Sequence, residues 1–202
     1  MISTLLIITS YLLGSIMFSV IMGKLIAGID IRNHGSGNAG ATNTLRIIGK
    51  GPAIAVFLLD LGKGVLAVWL AKWFVPEQDA IAILCGVAVI LGHNWPIWFN
   101  FRGGKGIATT IGMIVTLAFL PTLFAGLIAI LTIAITRYVS LGSLLLTAFL
   151  PIFIYIMDYP TELLWGSLAI LVFAWVKHRK NIVKLVKGTE NKLGSRSRTT
   201  EL

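Results

Sequence analysis

Long apolar runs broken by short polar blocks constrain this chain more than any other feature. Ile2 to Met22 contains no Lys or Arg, and further runs extend from Gly51 to about Trp73, Ala80 to Gly92, Gly106 to Thr136, Val139 to Met157 and Pro160 to Val176. In hydrocarbon each backbone N–H and C=O must find a partner within its own segment, so runs of about 20 apolar residues become helices. The chain therefore reads as an all-α integral membrane protein. Its composition, 56% hydrophobic and 12% charged, excludes an ordinary soluble domain. The net charge of +9 is then a topology signal, and no nucleic-acid partner is expected. The single Cys85 leaves no disulfide framework and no thiol metal cluster.

The run from Gly106 to Thr136 decides the helix count. As one helix it would extend about 45 Å, against a hydrocarbon core of about 30 Å. Pro121 near its middle predicts two brief helices meeting at the outer face. The short third run is completed or flanked by Trp95 to Phe101. The total is seven transmembrane helices, with the N-terminus outside and the C-terminus cytoplasmic. This topology leaves only Lys72 of the cations outside, together with the acidic Glu77, Asp79, Asp158 and Glu162. Residues 1–190 form a single seven-helix membrane domain, and residues 191–202 form a mobile cytoplasmic tail.

Three polar blocks fall on the cytoplasmic side. The first is GSGNAGATN, Gly35 to Asn43, with Arg46 three residues on. Glycines permit positive φ and can turn several N–H groups to one point, so Gly35 and Gly37 fit an anion-binding concavity, with Ser36, Asn38, Thr42 and Asn43 as neutral donors. Arg46 adds a fork that matches phosphate oxygens. The same run reads equally as a solvated loop between helices.

The second block holds His93, Asn94 and the run Arg102-Gly103-Gly104-Lys105-Gly106, which feeds a helix. A glycine-rich turn at a helix start presents free N–H groups and the positive dipole end, and Lys105 contributes a full charge. It is no Walker A loop, because Phe99 and Gly106 stand where that motif needs glycine and Ser or Thr. The third block runs from Lys177 through Glu190, with His178 and Asn181 sharing a helix face. Arg179, Lys180, Lys184 and Lys187 read as anchors to anionic headgroups. Asp60 and Lys63, three apart inside the second run, are expected to pair as a structural element near the site.

In order, GSGNAGATNTLR, GHNWPIWFNFRGGKGIAT and HRKNIVKLVKGTE, set between apolar segments over nearly the whole chain, resemble the bacterial membrane acyl-phosphate:glycerol 3-phosphate acyltransferases. The resemblance implies a bacterial inner or plasma membrane enzyme with a cytoplasmic active site, which moves a fatty acyl group from acyl phosphate to glycerol 3-phosphate. Lysophosphatidic acid and phosphate are the implied products. It implies that Ser36, Arg46 and Lys105 clamp phosphate, that Gly103, Gly104 and Gly106 form the glycerol 3-phosphate site, and that His178 and Asn181 orient the attacking hydroxyl. His93 and Glu190 are expected to be structural.

The proton acceptor is either His178 or the donor's own phosphate. No cofactor or metal is expected, since an acyl phosphate is already activated and the three histidines lack zinc spacing. The HxxxxD signature of thioester-dependent acyltransferases is absent. The lipid bilayer and the soluble enzyme that makes acyl phosphate are the expected partners. A phosphate or glycerol-phosphate transporter is the rival reading, and a lipid-phosphate-binding structural protein is a third.

Overall fold

The computed structural model describes residues 1–194, and among these it contains helices and no strands. In chain order the helices are α1 (Ile2–Gly14), α2 (Phe18–Ala27), α3 (Ala41–Ile47), α4 (Lys50–Phe74), α5 (Asp79–Asn94), α6 (Ile107–Leu117), α7 (Phe119–Thr136), α8 (Val139–Ile156) and α9 (Thr161–Val186). Five stretches are long and apolar enough to cross a bilayer: residues 2–27, 50–74, 79–99, 119–136 and 139–156. Large apolar side chains point outward along them, among them Leu58, Trp69, Leu131 and Ile135. Such a surface is stable against lipid and not against water.

Two expectations need correction. The first run is not one helix: α1 and α2 are separated at Ser15 to Met17, and α2 continues past Met22 to a left-handed cap at Gly28. The break is stable because Lys63 of α4 donates to the carbonyls of Gly14 and Ile16, both at 3.0 Å. Those carbonyls would otherwise be stranded in a low-dielectric interior. The second correction concerns the joint between α6 and α7, which lies at Ala118 (φ −149, ψ 80) and not at Pro121. Pro121 occupies the first turn of α7, where a missing N–H has no intrahelical partner to lose. The last helix runs past its apolar stretch to Val186, so His178 and Asn181 lie on it at the spacing that the sequence predicts for a shared face.

Close backbone crossings hold the bundle together. Gly14 of α1 meets Val89 of α5, and Gly92 of α5 meets Tyr11 of α1, while Gly64 and Gly112 play the same part between α4 and α6. A Cβ at any of these would collide with backbone of the neighbouring helix. Small residues let membrane helices approach closely where burial from water supplies no drive. Around these crossings, Val68, Cys85, Met113, Ile114, Leu150 and Ile170 pack as one core. Cys85 is a buried, free thiol. Of the expected tail, Asn191 to Gly194 is described: the N–H of Leu193 donates to the Arg137 carbonyl, and Arg137 donates back to the Leu193 carbonyl. Residues 195–202 lie outside the described part.

Candidate active site

The first polar block is built around Asn43. Its buried side chain accepts the Ser36 N–H at 2.9 Å and donates to the carbonyls of Ile31 and His34 at 3.0 Å. The amide thus shapes the loop from within. Gly35 (φ +60) and Gly37 (φ +70) supply the left-handed turns on either side of Ser36. Asp30 and Arg32 tie this loop to the second block: Arg32 pairs with Asp30 at 2.7 Å and donates to the Phe99 carbonyl at 2.9 Å. Hydrogen bonding to Arg32 lowers the Asp30 carboxyl to about 2. Arg46, on α3, is half-buried and makes one long bond of 3.4 Å to the Asn191 carbonyl, so most of its fork is available.

In the second block Gly106 (φ +78) caps α6, and its carbonyl accepts the Thr110 N–H at 2.7 Å. Gly104 donates its N–H to the His93 carbonyl, and its missing side chain makes room for the His93 ring and the Ala39 carbonyl. Gly104 thus leaves packing room for His93 and Ala39, and it is set back from the cavity wall. Lys105 donates to the Asn181 side-chain oxygen at 2.6 Å. Burial lowers its ammonium to about 8, with Arg46, Lys184 and Lys177 pushing the same way and Glu190 opposing them.

The third block closes the site. Asn181 donates to Glu190 at 2.7 Å, and Ser140 of α8 donates to the same carboxylate oxygen at 2.9 Å. A chain runs from Lys105 through Asn181 and Glu190 to Ser140, fixing the Asn181 amide with its oxygen toward the cation. His178 is buried, with Nδ1 at 2.8 Å from the Ala174 carbonyl. A carbonyl only accepts, so Nδ1 carries the proton and Nε2 is the other ring nitrogen to consider.

Beneath these lies the buried set of Asp60, Lys63 and His93. Lys63 is 2.9 Å from Asp60 and 2.8 Å from His93 Nδ1, in addition to its bonds across the break in the first run. Ammonium only donates, so His93 Nδ1 accepts and its proton sits on Nε2, on the side of Gly104.

One cavity of about 700 Å³ joins these elements. Its polar end is walled by Ser36, Gly37, Asn38, Thr42, Asn43, Arg46, Gly103, Lys105, Gly106, His178, Asn181 and Glu190, with Asp60 and His93 below. Gly35, Lys63 and Gly104 do not line it. The other end is an apolar groove formed by Phe57, Ile111, Ile130, Ile133 and Leu146. Sequence reasoning did not identify the residues of this groove, nor Ser140 and Ser143 on the cavity wall, and it gave Lys177, inside the third block, no site role. Only the three-residue spacing of Ser140 and Ser143 in an apolar helix hinted at an inward polar face. Lys177 also bonds the Asn94 carbonyl at 2.7 Å and lies over the Trp95 ring. Among the described residues no cluster of three or more His, Cys, Asp or Glu is arranged to hold a metal ion.

A site of this form has close relatives. The family model described as glycerol-3-phosphate acyltransferase matches residues 4–188. A glycerol-3-phosphate acyltransferase of Halalkalibacterium halodurans is 50% identical over 97% of this chain and 98% of its own length. One from Shouchella clausii is 54% identical over 92% of this chain and 93% of its own. The crystal structure of PlsY (YgiH), an integral membrane glycerol 3-phosphate acyltransferase, in its glycerol 3-phosphate form superposes with a TM-score of 0.91 at 37% identity, covering 95% of this chain and 96% of that one. Its lysophosphatidic acid form gives 0.88 at 36%, covering 95% of each chain. With a match over nearly its whole length, this membrane protein belongs to the glycerol-3-phosphate acyltransferase family.

Proposed function

We propose that this protein transfers a fatty acyl group from acyl phosphate to a hydroxyl of glycerol 3-phosphate, releasing phosphate and leaving lysophosphatidic acid in the membrane. The observation that carries the reading is the single cavity with a cationic, glycine-rich end and an apolar groove. Two phosphorylated substrates need the first, and an acyl chain needs the second. In the reaction a bond forms between the hydroxyl oxygen and the acyl carbon, and the bond from that carbon to the phosphate oxygen breaks. The electron pair leaves with phosphate, which also takes the hydroxyl proton, so no protein nucleophile is required.

The residues then act by position and charge. Ser36, Arg46 and Lys105 hold phosphate, with backbone from Gly37, Gly103 and Gly106 beside them. Asn181 aims Lys105 and is itself aimed by Glu190, while His178 orients the acceptor through Nε2. Asn43 and Gly104 are positioning residues, acting through the shape of the two loops. Asp60 and His93 form the floor, held from behind by Lys63.

We further propose seven crossings, with α1 and α2 together as one broken crossing followed by α4, α5, α6, α7, α8 and α9. The N-terminus is outside a bacterial cell membrane and the site faces the cytoplasm, where a soluble enzyme making acyl phosphate would deliver the donor. Charge asymmetry supports this orientation, since Glu77, Asp79, Asp158 and Glu162 lie at the ends opposite the cationic blocks. The transporter reading is tested in detergent micelles, where no compartments exist. Protein supplied with acyl phosphate and glycerol 3-phosphate should make lysophosphatidic acid there. A folded preparation that makes none, yet moves glycerol phosphate into liposomes, would be a transporter.

A further inference from the structure

The helix glycines of this bundle fall into two kinds. Gly14, Gly64, Gly92 and Gly112 sit at helix crossings, where a Cβ would strike the neighbouring backbone. Packing explains them. Gly126, inside α7, differs, because a Cβ there would meet nothing within 4 Å. It is not a positive-φ residue and caps no helix. Glycine within a helix is less stable than alanine, since it has more unfolded-state freedom to lose. Gly51 and Gly62 are open in the same way, but neither borders the cavity, whereas Gly126 does.

Its neighbours on the cavity wall give that opening a direction. Thr122, Gly126, Ala129, Ile130 and Ile133 all line the cavity, and their spacing keeps them on one face of α7. Ile133 is near the end of α7 that leads into Val139 and Ser140, beside the polar site. From there the wall runs about 10 Å to Gly126 and about 16 Å to Thr122. Across the groove, the cavity-lining residue of α8 farthest along that helix is Leu146, and Phe57 comes from α4. The far half of the groove is thus bounded on the α7 side by a residue with no side chain.

We propose that Gly126 sets the length of acyl chain the enzyme accepts. The space over its Cα lets a long chain continue along α7 beyond Ile130 toward Thr122, and a side chain at this position shortens the groove. The inference rests on the acyl-phosphate reading above and adds to it the residue that controls donor length.

The test compares kcat/KM for decanoyl and octadecanoyl phosphate in the unaltered enzyme, Gly126→Ala, Gly126→Leu and the lipid-facing control Leu127→Ala. The octadecanoyl-to-decanoyl ratio should fall at least about tenfold in Gly126→Leu and about threefold in Gly126→Ala, a range typical of apolar pockets that lose space. Leu127→Ala should keep the ratio of the unaltered enzyme. If Gly126→Leu does not fold, Gly126→Ala decides, since alanine favours the helix and meets no neighbour. An unchanged ratio in folded variants, or equal loss with both donors, overturns the assignment of Gly126 while leaving acyl transfer intact. Absence of product from every acyl phosphate in the unaltered enzyme overturns the donor reading and this inference with it.

Discussion

Lys105 should impose an alkaline limit on activity. Burial lowers its ammonium from 10.5 to about 8, so the charge is present below about pH 8 and lost above it. The charged form is the one that clamps phosphate. Because kcat/KM reports the ionisation of the free enzyme, its value for glycerol 3-phosphate should be level below that point and then fall about tenfold per pH unit. By pH 10 the loss is about a hundredfold, or about 3 kcal/mol at about 1.4 kcal/mol per decade. Lys105→Arg keeps its charge throughout this range but replaces a point donor to Asn181 with a planar fork. Its plateau should be lower and its profile should show no break near pH 8. Initial rates of lysophosphatidic acid formation in detergent, corrected for spontaneous donor hydrolysis at each pH, would measure both curves. A wild-type profile level to about pH 9.5, or a Lys105→Arg break at the same pH as wild type, would refute the role given to this charge.

Three further outcomes follow from the same geometry. Arg46→Lys should stay folded yet lose about tenfold to a thousandfold in turnover, because lysine keeps the charge and loses the bidentate fork; steady-state kinetics on the purified variant checks this, and near-native turnover would make Arg46 a surface anchor. Lys63→Met should lower thermal stability by about 3 to 5 kcal/mol, since it leaves Asp60 and the Gly14 and Ile16 carbonyls without their buried partner; thermal unfolding in detergent reads the loss, and adding Asp60→Leu should recover part of it. Single cysteines at Asp158 and Gly35, in a Cys85→Ser background, should react with impermeant maleimide from opposite faces of the membrane, and reaction of both from outside intact cells would reverse the topology.

How much of this was legible in the sequence depended on the length scale of the signal. Apolar runs and the order of the polar blocks are local, and they gave the helical membrane class and the residues of the polar cavity end. The break between α1 and α2 was not legible, because its cause is Lys63 of α4, 47 residues from Ile16 and partnered only once the bundle forms. Pro121 misled for a related reason. Proline marks a helix start as readily as a break, and here Ala118 carries the joint. The pairing of Asp60 with Lys63 was readable from their spacing, whereas His93 and the crossing carbonyls were not. The closeness of Gly104 to the His93 ring and the Ala39 carbonyl was not legible, since both neighbours come from other parts of the chain. The apolar groove arises from faces of four helices, none unusual alone.

The most direct test of the proposed chemistry is donor choice by purified protein free of any acyl-phosphate-forming enzyme. Given glycerol 3-phosphate and acyl phosphate, it should yield lysophosphatidic acid with one phosphate released per product, and acyl-coenzyme A or acyl-carrier protein should yield none. Equal rates from a clean thioester donor would contradict the proposal that the donor's own phosphate leaves with the hydroxyl proton.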